Sequence, residues 1–147
     1  MDLTYLMKTI IYIALIFIIS GISHELGHCG MCLLLRCRIV EFKFWFLIIK
    51  KDEDRIKVSC CARGKDHCSF LSSSKIKMMI IMASGPAINV VYAISFLIFL
   101  ILWGMNYIYV FGFAYNVLLA VHELLPSSGG DGYMIKKSLE EIRKELQ

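Results

Sequence analysis

Three long stretches with almost no charge constrain the fold of this 147-residue chain more than any other feature. They cover about residues 9–35, 78–106 and 107–125, and a helix of about 20 mostly apolar residues is long enough to cross a bilayer. Lipid offers no hydrogen-bond partners to the backbone, so a spanning segment must satisfy its own groups as a helix. An apolar content of 58% agrees and excludes a disordered chain. The sequence therefore predicts a single, mainly α-helical membrane protein over residues 1–147, with three transmembrane helices.

The first stretch has an alternative interpretation as a cleaved signal peptide, because Lys8 precedes an apolar run that ends near Ser20. The apolar pattern continues to Leu35, however, beyond the roughly 7–15 residues of a signal's apolar region. We therefore favour a membrane anchor. The second and third stretches are separated only by residues 104–107, which predicts a tight helical hairpin.

The basic residues are distributed unevenly along the chain. Eleven of the sixteen Lys and Arg lie in residues 36–77 and four in residues 134–147, whereas the N-terminus has only Lys8. Basic residues favour the cytoplasmic side, so we expect the long loop and the C-terminus in the cytoplasm and the N-terminus outside, in a multi-pass protein of the cell membrane. A net charge of +4 is too small to indicate a nucleic-acid partner.

The loop between the first two spans has the alternation of β-strands. Apolar residues alternate with polar ones on both sides of a polar turn at residues 50–54, which predicts a membrane-surface β-hairpin over residues 38–61. At the C-terminus, apolar side chains at helical spacing predict a short amphipathic helix. The residues that carry these two patterns are Val40, Phe42, Phe44, Phe46, Ile56, Val58 and Cys60, and Ile135, Leu139, Ile142 and Leu146.

The first span contains the pattern HExxH at residues 24–28. Four residues apart on a helix, His24 and His28 can reach one cation, and Glu25 beside them can hold a water bound to the metal. Two hydrogen-bonded histidines and a paired glutamate would be a structural alternative. Ionisable groups within a membrane are rare and mark function, because each costs roughly 2.5–3.5 kcal/mol at the helix centre, so the metal interpretation is favoured.

Zinc needs a third protein ligand and an open position, and Asp131 is the candidate. Pro126 ends the third helix, and the glycines around Asp131 let the chain turn back toward the helices, although Gly-Asp-Gly can also be a simple turn. In the second span, Gly85 lies eight residues after Lys77, just as His28 lies eight before Arg36, which places both on the order of 12 Å inside the cytoplasmic boundary.

Two further features of the second span, Pro86 and Asn89, accompany Gly85. Pro86 frees backbone groups, and Asn89 offers a neutral donor and acceptor within the membrane. A packing kink and an interhelical hydrogen bond would be the structural alternatives for these residues.

These residues together resemble the site-2 protease family of intramembrane zinc metalloproteases. The similarity consists of HExxH in one transmembrane helix, Gly-Pro-x-x-Asn early in the next, and a Pro-containing segment that ends in Asp-Gly after the third. The resemblance implies one catalytic zinc bound by His24, His28 and Asp131, with Glu25 as the catalytic base. The chain departs from the family pattern at Glu123, where members commonly have Asn, and in residues 127–130 before the Asp-Gly.

We accordingly expect hydrolysis of peptide bonds in membrane-embedded proteins or precursor peptides, near the cytoplasmic face. Asn89 is a candidate catalytic residue that holds the substrate backbone or the oxyanion. Gly85, Pro86 and Phe44 are candidate substrate-binding residues, with the hairpin capturing an unwound substrate as an added strand. Because the chain leaves little room for a sensing domain, we expect selection by the substrate itself, a regulatory membrane partner or a homo-oligomer.

Two other functions remain as alternatives. A catalytically silent, metal-binding membrane scaffold or adaptor is supported only by the altered region around Glu123. A metal transporter would need ionisable residues along a whole path, and the outer half of these helices has none. The six cysteines favour neither a disulfide framework in a reducing cytoplasm nor a CxxC-based zinc site. Cys29 and Cys32 are expected to pack within the first helix, and a second metal site at Cys60, Cys61, His67 and Cys68 is the less favoured hypothesis.

Overall fold

The computed structural model describes residues 3–44, 47–52, 55–60, 67–71, 74–126 and 130–147. In this part of the chain it contains four helices and one antiparallel sheet. The elements are α1 (Leu3–Leu34), β1 (Arg38–Phe44), β2 (Leu47–Asp52), β3 (Arg55–Cys60), β4 (His67–Leu71), α2 (Lys75–Trp103), α3 (Tyr107–Leu124) and α4 (Asp131–Glu145).

Three of these helices, α1, α2 and α3, are long and apolar enough to cross a membrane. This confirms the mainly helical architecture with three candidate spans, but two helices begin earlier than the apolar stretches. α1 starts at Leu3 and α2 at Lys75, because a lysine interrupts an apolar run without interrupting a helix, in which its straight side chain is well accommodated. Hydropathy therefore predicted the positions of the candidate spans, but it did not predict where the first two helices begin.

The turn between α2 and α3 was predicted correctly. Gly104 ends α2 with a φ of 84°, in the left-handed region that glycine adopts without a steric penalty, and its N–H donates to the carbonyl of Leu100 at 3.1 Å. Asn106 then caps α3, because its side-chain oxygen accepts from the N–H of Ile108 at 2.9 Å. Two helix caps within three residues make the hairpin tight.

The loop forms a four-stranded sheet in the order β3-β2-β1-β4, whereas the sequence predicted a two-stranded hairpin. The chain already turns between Phe44 and Leu47, which are paired residues of β1 and β2. The apolar run from Leu47 to Ile49 breaks the alternation of β1, since neighbouring residues of one strand face opposite sides. β4 is too short to show a clear alternation, which explains why it was missed.

α4 packs against the beginning of α2. Lys75 forms ion pairs with Glu141, at 3.6 Å, and with Glu145. The buried residues of α4 are Gly132 and Ser138. Two members of the predicted apolar face, Leu139 and Leu146, are instead exposed, so the small residues rather than that whole face make the close contact.

A small buried cluster lies where α1, α2 and α4 meet. Cys32, Ile81 and Met82 are buried, and Met134 and Ile135 of α4 pack against them. Most other large apolar side chains of the three long helices are exposed, as expected for helices solvated by lipid. The cluster fixes α4, and with it Asp131, next to the first helix.

Candidate metal centre

Two histidines on one face of α1 form the base of the site. His24 and His28 are one turn apart and buried, with exposures of 7% and 3%. Their Nε2 atoms lie 3.2 Å from each other. The HExxH spacing therefore directs two imidazole nitrogens to one point, as the sequence predicted.

Asp131, the first residue of α4, completes a triangle of donor atoms. Its Oδ2 lies 3.3 Å from Nε2 of His24 and 3.1 Å from Nε2 of His28. Among the described residues, these three side chains form the group of potential ligands close enough to share a metal ion. The structure thus brings together two residues of one helix and a third that is about a hundred positions further along the chain.

The triangle has the dimensions that zinc requires. Tetrahedral ligands at about 2.0–2.1 Å from zinc lie roughly 3.3 Å apart, and the observed separations are 3.1–3.3 Å. Two imidazoles and a carboxylate suit a catalytic site, which keeps the fourth position open. Although Oδ2 of Asp131 is buried near both rings, it makes no hydrogen bond of good geometry, as expected of an atom placed to bind a cation.

The surroundings of the Asp131 carboxyl also favour its ionised form, which is the form that binds a metal. Burial raises the pKa of this group, but the adjacent His24 and His28 side chains lower it more strongly. The net pKa lies below the usual value for aspartate. The carboxylate is therefore ionised at neutral pH, which is the form that binds a metal.

The backbone of α2 touches both imidazoles at Gly85. A Cβ atom built there would lie 2.5 Å from Nε2 of His28 and 2.7 Å from Nε2 of His24. Only glycine permits this approach, so Gly85 forms a wall of the candidate metal site. Pro86 is fully buried next to it, and its ring prevents the normal helical bond to the carbonyl four residues earlier.

Two groups of α2 contact the outer nitrogens of the histidines. The carbonyl oxygen of Ile81 lies 2.7 Å from Nδ1 of His28. The side-chain amide of Asn89, which is completely buried, lies 2.9 Å from Nδ1 of His24. Sequence reasoning placed Asn89 at this depth but assigned it to substrate, and it missed Ile81, since a backbone carbonyl leaves no signal in residue type.

Glu25 lies beside His24 and His28. It is buried, with 8% exposure, and it is near enough to His28 to interact with it electrostatically. A carboxylate in this position can hold a water molecule next to a bound metal and exchange a proton with it.

Gly132 positions Asp131, although the sequence predicted only that it helps the chain to turn back toward the helices. A Cβ atom at Gly132 would lie 2.2 Å from the carbonyl oxygen of Leu124, so the first turn of α4 rests directly on the end of α3. The sequence contains the Asp-Gly pair but does not indicate why glycine is needed there, because the need arises from a contact between the start of α4 and the end of α3.

Several candidate residues lie away from the metal centre or outside the described part of the chain. Phe44 is the last residue of β1, and only its backbone is described. Nδ1 of His122 lies 3.2 Å from Oε1 of Glu123, with the His122 side chain well exposed. Cys32 is buried, and its thiol donates to the carbonyl of Cys37 at 3.5 Å, in keeping with a packing role.

The hypothesis of a second metal site falls largely outside what the structure describes. Cys61 lies outside the described residues, and of Cys60, His67 and Cys68 only the backbone is described.

Three apolar helices and a His-His-Asp donor set with a neighbouring glutamate fit a membrane metallopeptidase. The sequence model of peptidase family M50, the site-2 protease family, matches residues 12–142, and the chain belongs to this family. The family consists of membrane metalloproteases that generally use zinc. No curated protein and no solved structure matches the chain significantly.

Proposed function

We propose that the protein is an intramembrane zinc metalloprotease that hydrolyses peptide bonds of membrane-embedded substrates near the cytoplasmic face. The observation that carries the proposal is the triangle of donor atoms from His24, His28 and Asp131, with sides of 3.1–3.3 Å. Family membership and the position of Glu25 support the same conclusion.

The residues of the site suggest how the reaction proceeds. His24, His28 and Asp131 would hold a zinc ion, which would supply a Lewis acid for the scissile carbonyl and lower the pKa of water to about 7. Glu25 accepts a proton from the attacking water while the water oxygen bonds to the carbonyl carbon. Glu25 then donates this proton to the amine nitrogen as the peptide C–N bond breaks.

A substrate helix must unwind locally, since a helical peptide bond hides its carbonyl. Capture of the unwound segment as an added strand is restricted by the sheet, because residues 41–43 of β1 pair with β2 on one side and with β4 on the other. In the described sheet the outer strands are β3 and β4. We therefore move the proposed pairing from the strand of Phe44 to an outer strand, and Phe44 remains a proposed substrate contact.

The proposed orientation follows from charge. The basic loop and α4, which carries four further Lys and Arg residues, lie at the same end of the helices, as the ion pairs of Lys75 with α4 illustrate. We assign this end to the cytoplasm of a cell-membrane protein. The substrates are then membrane-tethered regulators or the precursors of secreted peptides, selected by the substrate itself, a regulatory membrane partner or a second copy.

Glu25→Gln tests the proposal, because it removes the proton acceptor and leaves the three ligands. Cells that express this variant are compared with wild type by proteomic identification of new peptide termini, and the zinc content of both purified proteins is measured. We expect cleavage products only with wild type and one zinc in both. Glu140→Gln, the same change at an exposed position of α4, serves as the matched control and retains cleavage.

The same experiment separates the alternative of a catalytically silent scaffold, which is favoured only by Glu123 at the position of the family's asparagine. A scaffold binds zinc in both proteins and produces no new termini in either. Identical sets of termini in wild-type and Glu25→Gln cells would therefore contradict the protease.

A further inference from the structure

Three residues of α2 at a spacing of four lie against the two ligand histidines. Ile81 contacts Nδ1 of His28, Asn89 contacts Nδ1 of His24, and the backbone of Gly85 touches both rings between them. Residues four apart form a ridge on a helix. The ridge of α2 thus runs antiparallel to the histidine pair of α1, with one partner for each ring.

We propose that Asn89 is a positioning residue whose side-chain oxygen accepts a hydrogen bond from Nδ1–H of His24 and thereby directs its Nε2 lone pair to the metal. The inference rests on the metal site of the proposed function and deepens it. It replaces the predicted contact of Asn89 with substrate by a contact with a ligand.

The direction of the hydrogen bond follows from the ligand atom. Nε2 of His24 is the nitrogen that faces His28 and Asp131. A neutral imidazole that binds a metal through Nε2 carries its proton on Nδ1, which is then a donor. Of the two polar atoms of the Asn89 side chain, only the oxygen can accept it.

The amide of Asn89 can supply either atom. The structure has Nδ2 directed at His24, and Oδ1 is buried without a hydrogen-bond partner. This orientation suits an imidazole protonated on Nε2, which cannot bind a metal through that atom. A half-turn of the amide exchanges nitrogen for oxygen in nearly the same space, and it pairs the buried oxygen with the Nδ1–H of the metal-binding form.

His28 shows the same arrangement with a backbone acceptor. Its Nδ1 donates to the carbonyl of Ile81 at 2.7 Å, and Ser84 Oγ donates to the same oxygen at 2.6 Å. That carbonyl lies in the turn preceding Pro86, whose ring disturbs the helical bonds there. Each ligand histidine thus has a partner on α2, one from the backbone and one from a side chain.

Asn89 is also too enclosed to touch a substrate. Its side chain is completely buried, and its amide contacts the far side of the His24 ring from the donor triangle. Partners of this kind change metal affinity or activity by 10–100-fold when they are removed. A residue that holds substrate or the oxyanion would leave zinc affinity unchanged.

The test measures zinc affinity of the full-length purified protein by competition with a chromogenic chelator, in a Glu25→Gln background so that cleavage plays no part. We expect Asn89→Ala to weaken binding by about 10–100-fold and Asn89→Asp to stay within a few fold, because its carboxylate still accepts from Nδ1–H. Asn116→Ala is the matched control. Asn116 is equally buried, but its amide donates to Gly112 of its own helix, at 2.8 Å, so we expect no change.

Two outcomes would overturn the inference: wild-type zinc affinity in Asn89→Ala, or equal losses in Asn89→Ala and Asn89→Asp. Should Asn89→Ala fail to fold, ¹⁵N-histidine spectra of the zinc-loaded protein with Asn89 intact still test the inference, because they show which nitrogen of His24 carries the proton. The chain has only four histidines, and His24 must carry a slowly exchanging Nδ1 proton. A His24 bound through Nδ1, or one with a freely exchanging Nδ1 proton, contradicts the proposal.

The inference and the proposed function can fail separately. Zinc loss in Asn89→Ala together with no cleavage by wild type supports the positioning role and contradicts the protease. Cleavage by wild type together with full zinc affinity in Asn89→Ala supports the protease and contradicts the positioning role. A wild-type chain that binds no zinc contradicts both.

Discussion

Oδ2 of Asp131 lies 3.1 Å from Nε2 of His28 and so connects the start of the last helix to the end of the first. Because the two residues are far apart in the sequence, the metal centre exists only when α4 is docked. The contacts that dock α4, at Gly132, at Ser138 and at Lys75, are therefore also contacts that assemble the centre.

Asp131→Asn should abolish tight zinc binding while the fold is retained. The amide has nearly the same shape as the carboxylate but lacks its charge, which compensates a buried cation. We expect at least a 100-fold loss of affinity, more than for a residue that only orients a ligand. Chelator competition measures it, and the same substitution at Asp52 in β2 is the control. Zinc affinity equal to wild type would mean that Asp131 is not a ligand.

Gly132→Ala should displace α4 from the end of α3. The new methyl group would lie 2.2 Å from the backbone oxygen of Leu124, which cannot move away as a flexible side chain can. We expect a loss of stability of about 1–3 kcal/mol, seen as a lower melting temperature in detergent, together with weaker zinc binding because Asp131 moves.

Gly30→Ala is the matched control for this variant. No atom lies within 4 Å of a Cβ built at Gly30, which is in the middle of a helix turn of α1. Alanine is favoured over glycine inside helices by up to about 1 kcal/mol, so this variant should be at least as stable as wild type. Equal melting temperatures for the two variants would contradict the proposed contact between α3 and α4.

Lys75→Met should loosen the far end of α4 without breaking the centre. Its ammonium group pairs with Glu141 and Glu145, but all three side chains are partly exposed, and exposed ion pairs contribute about 0–1 kcal/mol each. We expect zinc affinity within a few fold of wild type and faster proteolysis of α4 at low salt only, since salt screens the pairs in the wild-type protein. Lys137→Met, at an exposed position of α4, should leave the proteolysis rate unchanged.

The sequence was sufficient for the parts of the site that depend on local spacing. The separation of His24 and His28 by four residues fixes their common face on any helix, and charge-free length alone located three candidate spans. Even the common depth of His28 and Gly85 could be predicted by counting residues from the nearest basic side chains. A Cβ at Gly85 would lie only 2.5 Å from Nε2 of His28, so the two residues do lie at the same level of the helices.

The parts that could not be predicted depend on contacts between distant elements or on backbone atoms. The residue type of Ile81 does not indicate that its backbone carbonyl accepts a hydrogen bond from His28. Likewise, an asparagine at position 89 could contact either a substrate or His24, and its residue type does not distinguish the two. The prediction of the sheet was incomplete for a related reason, because β4 is recognised by its pairing with β1 rather than by an alternation of apolar and polar residues in its own sequence.

Gly85→Ala and Gly27→Ala should have different effects, although both change glycines where α1 and α2 touch. A Cβ at Gly85 would overlap the metal-binding nitrogens, at 2.5 Å and 2.7 Å, whereas a Cβ at Gly27 would lie 2.9 Å from the side chain of Ile88 and 3.0 Å from the carbonyl of Ser84. We expect Gly85→Ala to weaken zinc binding by at least 10-fold, because the imidazoles must rotate away from their productive geometry. Gly27→Ala should mainly lower the melting temperature, since it separates the two helices without touching a ligand. Chelator competition and thermal unfolding on both proteins give the comparison. Equal ratios of zinc loss to stability loss in the two variants would show that Gly85 matters only for helix packing.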